Sequence, residues 1–289
     1  MTHSLKGPLS RFVPYRGLTL QLFAVTVLPL TALLLAITFG SIAVHQAAMR
    51  NLVGERDARA ARSAAQAIQV ELDHRLSAMR GLSLRAAAEE SLDKILASAD
   101  YLLTDFDGGL AFFDVDGKLL ASSGDAALWE SLAAGRPPDF SSDSVSAAFP
   151  HPISGELMVV AAAQNSQKKL IAAGTFSLAA LAQHTLADAF PAEHITVYLL
   201  DPSCKTLYQS GPLAADDSLC DHPGIAEAFQ GQSGTAYVQV GGEEHVVAYS
   251  PVAGANWVII TEESWQMVAD PTLRTSQVDY NGRFCMSSA

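Results

Sequence analysis

Residues able to do chemistry are sparse in this sequence, and their spacing is not that of a catalytic or metal site. The tetrapeptide at residues 114–117, Asp-Val-Asp-Gly, matches the start of a calcium loop, but strand-forming residues flank it and favour a hairpin turn. Four histidines lack the spacing of a zinc site: His184, His194, His222 and His245. No nucleophile elbow, Walker A or dinucleotide-binding glycine motif is present, so we expect neither an enzyme nor a cofactor.

Five residues between positions 101 and 151 have side chains of the kind that line small-molecule pockets. Such pockets combine aromatic walls with a few polar groups, and an arginine holds a carboxylate through two parallel hydrogen bonds. The candidates are Tyr101, Trp129, Arg136, Phe140 and His151. Taken singly, each is more often a core or surface residue than a ligand contact.

Two of the three cysteines, Cys204 and Cys220, lie in predicted loops. Bridged, they would close a loop of about 15 residues and add about 3 kcal/mol to stability. The sequence leaves both a disulfide and two free thiols open.

Composition excludes several classes of protein. The formal charge of −12 argues against a nucleic-acid partner, since phosphate binding needs clustered Lys and Arg. With 49% apolar residues and 289 residues in all, the chain can form one large or two small folded domains. A mean hydropathy of +0.19 is high for a soluble protein and indicates a membrane segment.

That segment is the stretch of 27 mainly apolar residues from Leu18 to Val44, which is long enough to cross a bilayer with tilt or with a kink at Pro29. A cleaved signal peptide is the alternative, but its apolar region is only about 7–15 residues long. Three cations, Lys6, Arg11 and Arg16, precede the span, so we expect a cytoplasmic N-terminus, with the acidic remainder outside.

After the span, residues 46–101 contain no proline and are rich in Ala, Leu, Arg and Glu, which predicts long helices. Apolar residues recur at helical spacing: Ala61, Ala65, Ile68, Leu72, Leu76 and Met79. This stripe can pack against the following domain or form a homodimer seam with a second copy, and we expect a dimer through the 55–101 helix.

The remainder is an internal repeat. Shifting the chain by 87 residues aligns 118–182 with 205–269 without a gap and gives fifteen identities in 65 positions. Each copy reads as a strand hairpin, a helix-compatible middle and two further strands. The predicted hairpins are 110–122 and 195–209, the helices 126–134 and 222–229, and the later strands 157–163, 170–176, 245–250 and 257–261. This pattern predicts an α+β fold with two small antiparallel sheets.

This order resembles the double Cache family of extracytoplasmic sensor domains, in which two PAS-like modules follow one long helix. The paired hairpins FFDVDGKLLASSG and YLLDPSCKTLYQSG carry the resemblance, as does the phrase from His222 to Trp257 with its HPG and VAYSPV segments. It implies a small-molecule ligand in the membrane-distal module and a signalling output such as a histidine kinase. The Arg-x-Trp signature of amino-acid-binding members is absent, since Trp129 precedes Arg136 by seven residues.

The C-terminal end departs from the family, because residues 275–289 contain no apolar run for a second span. We expect a truncated output region or separate partners, and keep a ligand-free dimerisation module and an anchored hydrolase as alternative functions. The expected layout is a cytoplasmic tail (1–17), a transmembrane helix (18–45), stalk helices (46–104), a membrane-distal module (105–185), a membrane-proximal module (190–265) and a truncated tail (266–289).

Overall fold

The computed structural model describes residues 17, 23–88, 91–135, 143–165, 167, 169–186, 190, 195–213 and 219–269. The chain divides into an N-terminal unit that ends at Leu52 and a larger unit that begins at Val53.

The N-terminal unit is an apolar helical segment. A π-helical turn, Phe23–Val27, leads into helix α1, Leu28–Ala88. Pro29 lies where the π-helical turn joins α1, and its missing N–H removes one intrahelical hydrogen bond from this continuous helix. Within the described residues, one helix, Phe23–Ala88, is long and apolar enough to cross a membrane, with a mean hydropathy of 2.2 over its 18-residue window.

The larger unit begins inside α1, which runs without interruption past Gly54 and Gly81. A short helix α2 and a 3-10 turn then lead into the first sheet. Their bounds are Leu92–Ser98 and Asp100–Thr104. The predicted stalk region thus contains the C-terminal part of α1 and the short helix α2.

The first sheet is antiparallel, with the order β2-β1-β6-β5-β3 and with β4 also paired to β5. Helix α3 follows β2, and helix α4 follows β6. The bounds are β1 Gly109–Asp114, β2 Leu119–Gly124, α3 Ala126–Ala134, β3 Ser144–Val145, β4 Phe149–Pro150, β5 Leu157–Asn165, β6 Leu170–Ser177 and α4 Leu178–Leu186. The predicted hairpin, helix and two later strands of this copy are confirmed.

The second sheet has the matching order β8-β7-β11-β10-β9. Its elements are β7 Thr196–Leu200, β8 Thr206–Ser210, a 3-10 turn Leu219–Asp221, α5 Ile225–Phe229, β9 Gly234–Val240, β10 Glu243–Val252, β11 Trp257–Ser264 and α6 Trp265–Ala269. The 87-residue shift carries β6 onto β11 residue for residue. Strand β9 was not predicted, because its side chains are mostly half-buried and show no clear alternation.

One hydrophobic cluster joins α1 to the inner faces of both sheets. It contains Ile68 and Met79 of α1, Phe112 and Val159 of the first sheet, and Ile259 of the second. Five of the six residues in the helical stripe are buried in the chain's own core: Ala61, Ala65, Ile68, Leu72 and Met79. The first alternative, a stripe packed against the chain's own domain, is therefore confirmed, and a homodimer through the 55–101 helix stays a prediction.

The second sheet is also tied to α1 by charge. Arg56 donates to Asp57 at 2.7 Å and to Glu263 at the end of β11, and both carboxylates are buried. Partial burial lowers the pKa of Arg56, but the hydrogen bonds and charges of Asp57 and Glu263 raise it by more. The guanidinium thus stays charged and links the helix to the last strand.

Glycine is required in the HPG segment of the second module. Gly224 has φ +95°, and a Cβ at this position would collide with the ring of Tyr249 on β10. This close approach lets α5 pack on the second sheet, whose outer cluster includes Ile225 and Val247. The segment from His222 onward, which carries the family resemblance, therefore includes a glycine that this packing contact requires.

Candidate functional site

Alternation along the strands of the first sheet leaves a second apolar face on the side away from α1, which we call the outer face. Its residues are Ala111, Phe113, Val160, Ala162, Ile171 and Ala173, and Trp129 of α3 covers them. Among the five predicted ligand-binding residues, Trp129 and His151 lie on or beside this face.

Trp129 is a core residue in this structure. It is 0% exposed, its ring centroid lies 5.9 Å from that of Phe113, and its indole N–H donates to the Ser123 carbonyl at 3.2 Å. Since its polar group is satisfied and its ring is enclosed, Trp129 closes the outer face.

His151 is held by Asp125, the residue that caps α3. The His151 Nε2 lies 2.9 Å from Asp125 Oδ2, while His151 Nδ1 accepts from the backbone N–H groups of Ile153 and Ser154 at 3.2 Å. The Asp125 carbonyl also accepts from the Trp129 N–H at 3.3 Å. Asp125 therefore brings Trp129 and His151 together at the start of α3.

Asp125 was missed as a site residue, although an aspartate just before an apolar helix is a recognisable N-cap. Its Oδ1 accepts from the Leu128 N–H at 3.0 Å. This backbone hydrogen bond, followed by the hydrogen bond with His151, holds the pKa of Asp125 below its ordinary value.

We expect Asp125→Ala to lower the thermal midpoint at pH 7, since the cap and the His151 contact are both lost. Because the pKa is depressed in the folded state, this stabilisation is complete above the unfolded value of about 3.9 and is lost as pH falls through the lower folded value. Calorimetry from pH 7 to pH 3 should show the deficit shrinking only at the acid end. Asp125→Asn, which keeps an acceptor oxygen, is the control and should lose less; equal midpoints for all three proteins would contradict the assignment.

Of the remaining predicted ligand residues, one lies away from this cluster and two are outside the described part of the chain. Tyr101 lies in the 3-10 turn before the first sheet and is 68% exposed. Arg136 and Phe140 lie outside the described residues. The assignment of these five residues to a ligand stays a prediction.

One further polar group on the outer face gave no sequence signal. Thr175 of β6 is 0% exposed, and its hydroxyl has no hydrogen-bond partner among the residues described. A Cβ at Gly108 would collide with this hydroxyl, so glycine is needed there for close approach. Buried polar groups are almost always paired, and Thr175 is therefore suited to contact a bound molecule or water.

Asp114 and His245 have structural roles. Asp114 Oδ1 accepts from the backbone of Asp116 and Lys118 at 3.0 and 2.8 Å, which confirms the hairpin turn. His245 pairs with the buried Glu262 at 2.6 Å in the second sheet. In the part of the chain that the structure describes, no three His, Cys, Asp or Glu residues are grouped to hold a metal ion; His194 lies outside that part.

Cys204 and Cys220 are joined in a disulfide, with Cα atoms 5.9 Å apart. Cys204 lies in the β7–β8 turn, and Cys220 lies in the 3-10 turn that precedes α5. The bridge ties the first hairpin of the second module to its helical segment.

We expect the double variant Cys204→Ser, Cys220→Ser to lower the free energy of unfolding by about 3 kcal/mol, because the unfolded chain regains the freedom of the closed loop. Urea unfolding of the oxidised proteins measures the difference. Cys285→Ser is the matched control and should unfold like the wild type; a double variant as stable as this control would show that the bridge contributes nothing.

Comparison with known proteins gives matches at the level of structure. No protein-family model matches the sequence, and no curated protein matches it. The ligand-binding domain of the Pseudomonas aeruginosa amino acid chemoreceptor PctB, solved with L-Gln, aligns over 81% of this chain and 99% of its own, with 16% identity and a TM-score of 0.51.

Two other sensory domains align over a similar length. That of the Campylobacter jejuni chemoreceptor Tlp3, solved with isoleucine, covers 80% of this chain and 98% of its own, with 12% identity and a TM-score of 0.56. The extracellular domain of soHK1S-Z6, assigned as a histidine kinase, covers 78% and 98%, with 14% identity and a TM-score of 0.52. The chain therefore has the fold of these sensory domains, a long helix followed by two antiparallel sheets.

Proposed function

We propose that the chain is the extracytoplasmic input domain of a membrane signalling receptor and that it senses a small molecule. One observation carries this proposal: a long helix with two like sheets packed on it aligns with nearly the full length of chemoreceptor sensory domains. Its role is binding and signalling rather than catalysis, in keeping with the absence of catalytic motifs from the sequence.

We place the ligand at the edge of the outer face of the first sheet, beside Thr175, since Trp129 closes the rest of that face. The support is local: Thr175 carries a buried unpaired hydroxyl, and the Asp125–His151 pair lies nearby, because the backbone of Gly108 is hydrogen-bonded to both Asp125 and Thr175. Because PctB and Tlp3 were solved with amino acids, amino acids come first among the compounds to test.

We propose that residues 1–17 are cytoplasmic and that the chain from about residue 46 onward lies outside the membrane. The support is the cation bias before the apolar segment, with Lys6, Arg11 and Arg16 on one side of it. A homodimer through α1 also stays a prediction, and it would use the exposed side that carries Val70 and Leu84 rather than the buried stripe.

A ligand would act by binding one arrangement of the domain more tightly than another. It can shift the balance only by the difference between its two affinities. Since α1 packs against both sheets, a change in packing at one sheet would alter its contacts with α1.

The test is a thermal-shift screen of the full chain in nanodiscs, followed by calorimetric titration of the hits. The panel contains the twenty amino acids, organic acids, amines and nucleosides. We expect at least one compound to bind saturably and to raise the midpoint. A panel without a single binder would contradict the sensing proposal.

The position of the ligand is tested by Thr175→Val. Replacing a buried unpaired hydroxyl with a methyl group should leave stability unchanged or raise it, while the affinity for the hit should fall because the hydroxyl contact is lost. Thr206→Val in the second sheet is the matched control and should bind like the wild type. Equal affinity in both variants would contradict the placement on the outer face.

A further inference from the structure

A second concave site lies on the opposite side of the first module, against α1. It is a groove of about 460 Å³, a volume typical of small-ligand sites. Helix α1, the loop before β1 and helix α4 form its walls. The apolar part of its lining consists of Val70, Phe176, Ala180 and Leu181.

The guanidinium in the groove is already engaged. Arg75 donates to the Glu71 carboxylate at 2.6 Å and to the Asp105 carbonyl at 3.2 Å, and it lies 4.8 Å from the centroid of the Phe176 ring. Its side chain is 10% exposed. Because Glu71 balances its charge, Arg75 is poorly placed to attract an anion.

Two further carboxylates line the same groove without an arginine or lysine partner. Asp105 is 38% exposed, with the His74 imidazole 3.8 Å away. Asp107 accepts from the Ser177 N–H at 2.7 Å through Oδ1, and no partner for Oδ2 is found among the described residues. The opposite charges of Glu71 and Arg75 cancel. The groove therefore carries a formal charge of −2 from Asp105 and Asp107 when its histidines are neutral.

We propose that this groove binds an organic ammonium ion. The amine would lie against Asp105 and Asp107, where charge-assisted hydrogen bonds are strong, and its carbon chain would cover the apolar wall that includes Ala180 and Leu181. A bare metal ion fits less well, since the described residues offer no cluster of three ligands. This site is separate from the outer face, so it goes beyond the sensing function proposed above.

Occupation of the groove would add contacts between α1 and α4, which already share the main hydrophobic cluster. The groove touches α1 directly, and α4, which forms another wall, also contacts β8 of the second sheet. A molecule held between α1 and α4 would therefore brace the connection from the first module to the second.

The probe is 1,4-diaminobutane, titrated by calorimetry into the full chain in nanodiscs. We expect saturable binding that weakens as salt screens the carboxylates, and no binding of butanoate or butanol. The variant Asp105→Asn, Asp107→Asn should bind at least about tenfold more weakly, since it keeps the shape and removes both charges. Asp116→Asn, an exposed hairpin residue, is the matched charge control and should bind like the wild type.

A steric pair locates the site independently. Ala180→Trp should fill the groove and abolish binding, whereas Ala179→Trp, at an exposed neighbour that does not line the groove, should not. Thermal midpoints check that each variant folds. If a tryptophan variant does not fold, the isosteric double asparagine variant provides the test of the site. No binding by the wild type, or equal affinity in the double asparagine variant, overturns the proposal. Because Thr175 does not line the groove, Thr175→Val should leave this binding unchanged, which distinguishes the groove from the outer face.

Discussion

Trp129→Ala should lower the free energy of unfolding of the full chain by about 3–5 kcal/mol, the usual cost of removing a buried aromatic side chain. The ring is 0% exposed and holds α3 on the outer face against Phe113. Its removal leaves a cavity and unpairs the Ser123 carbonyl. Urea unfolding followed by circular dichroism measures the loss.

Two controls separate a core role from a ligand-contact role. Tyr101→Ala removes another of the predicted pocket aromatics, but this side chain is 68% exposed and its loss should change stability by less than about 0.5 kcal/mol. Trp129→Phe keeps most of the apolar contact and should fall between the wild type and Trp129→Ala. If Trp129→Ala were as stable as Tyr101→Ala, the conclusion that Trp129 closes the outer face would be wrong.

Ile68→Ala should cost about 2–5 kcal/mol, because Ile68 is 0% exposed at the centre of the cluster that α1 shares with both sheets. Since that cluster is common to both modules, we expect the two sheets to unfold in one transition. Near- and far-ultraviolet circular dichroism in urea should therefore report coincident curves.

Val70→Ala is the matched control on the same helix. Val70 is 58% exposed, so truncating it should change stability by less than about 0.5 kcal/mol. Equal losses for Ile68→Ala and Val70→Ala would mean that the stripe is not buried by the sheets and would restore the dimer seam as its explanation.

The architecture could be predicted because it is repeated and periodic. A shift of 87 residues aligns the two copies, and the same shift relates β6 to β11 in the structure. The hairpin turns carry matching aspartates, Asp114 and Asp201, each of which accepts from the backbone of its own turn. The local sequence therefore determines these two turns without contacts from distant parts of the chain.

Features that depend on distant contacts could not be predicted. Strand β9 is an edge strand whose pairing with β10 decides its conformation. The stripe on α1 has the same spacing whether a sheet or a second helix covers it. The meeting of His151 with Asp125 joins positions 26 residues apart, and the unpaired hydroxyl of Thr175 follows from packing against Gly108.

Hydrogen exchange of the full chain in nanodiscs, with and without the pooled compound panel, tests the central claim most directly, because it detects binding and locates it together. The sensing account predicts that at least one pool slows exchange in the first module, across β1, β5, β6 and α3. No change with any pool, or protection confined to residues 196–269 of the second module, would contradict it.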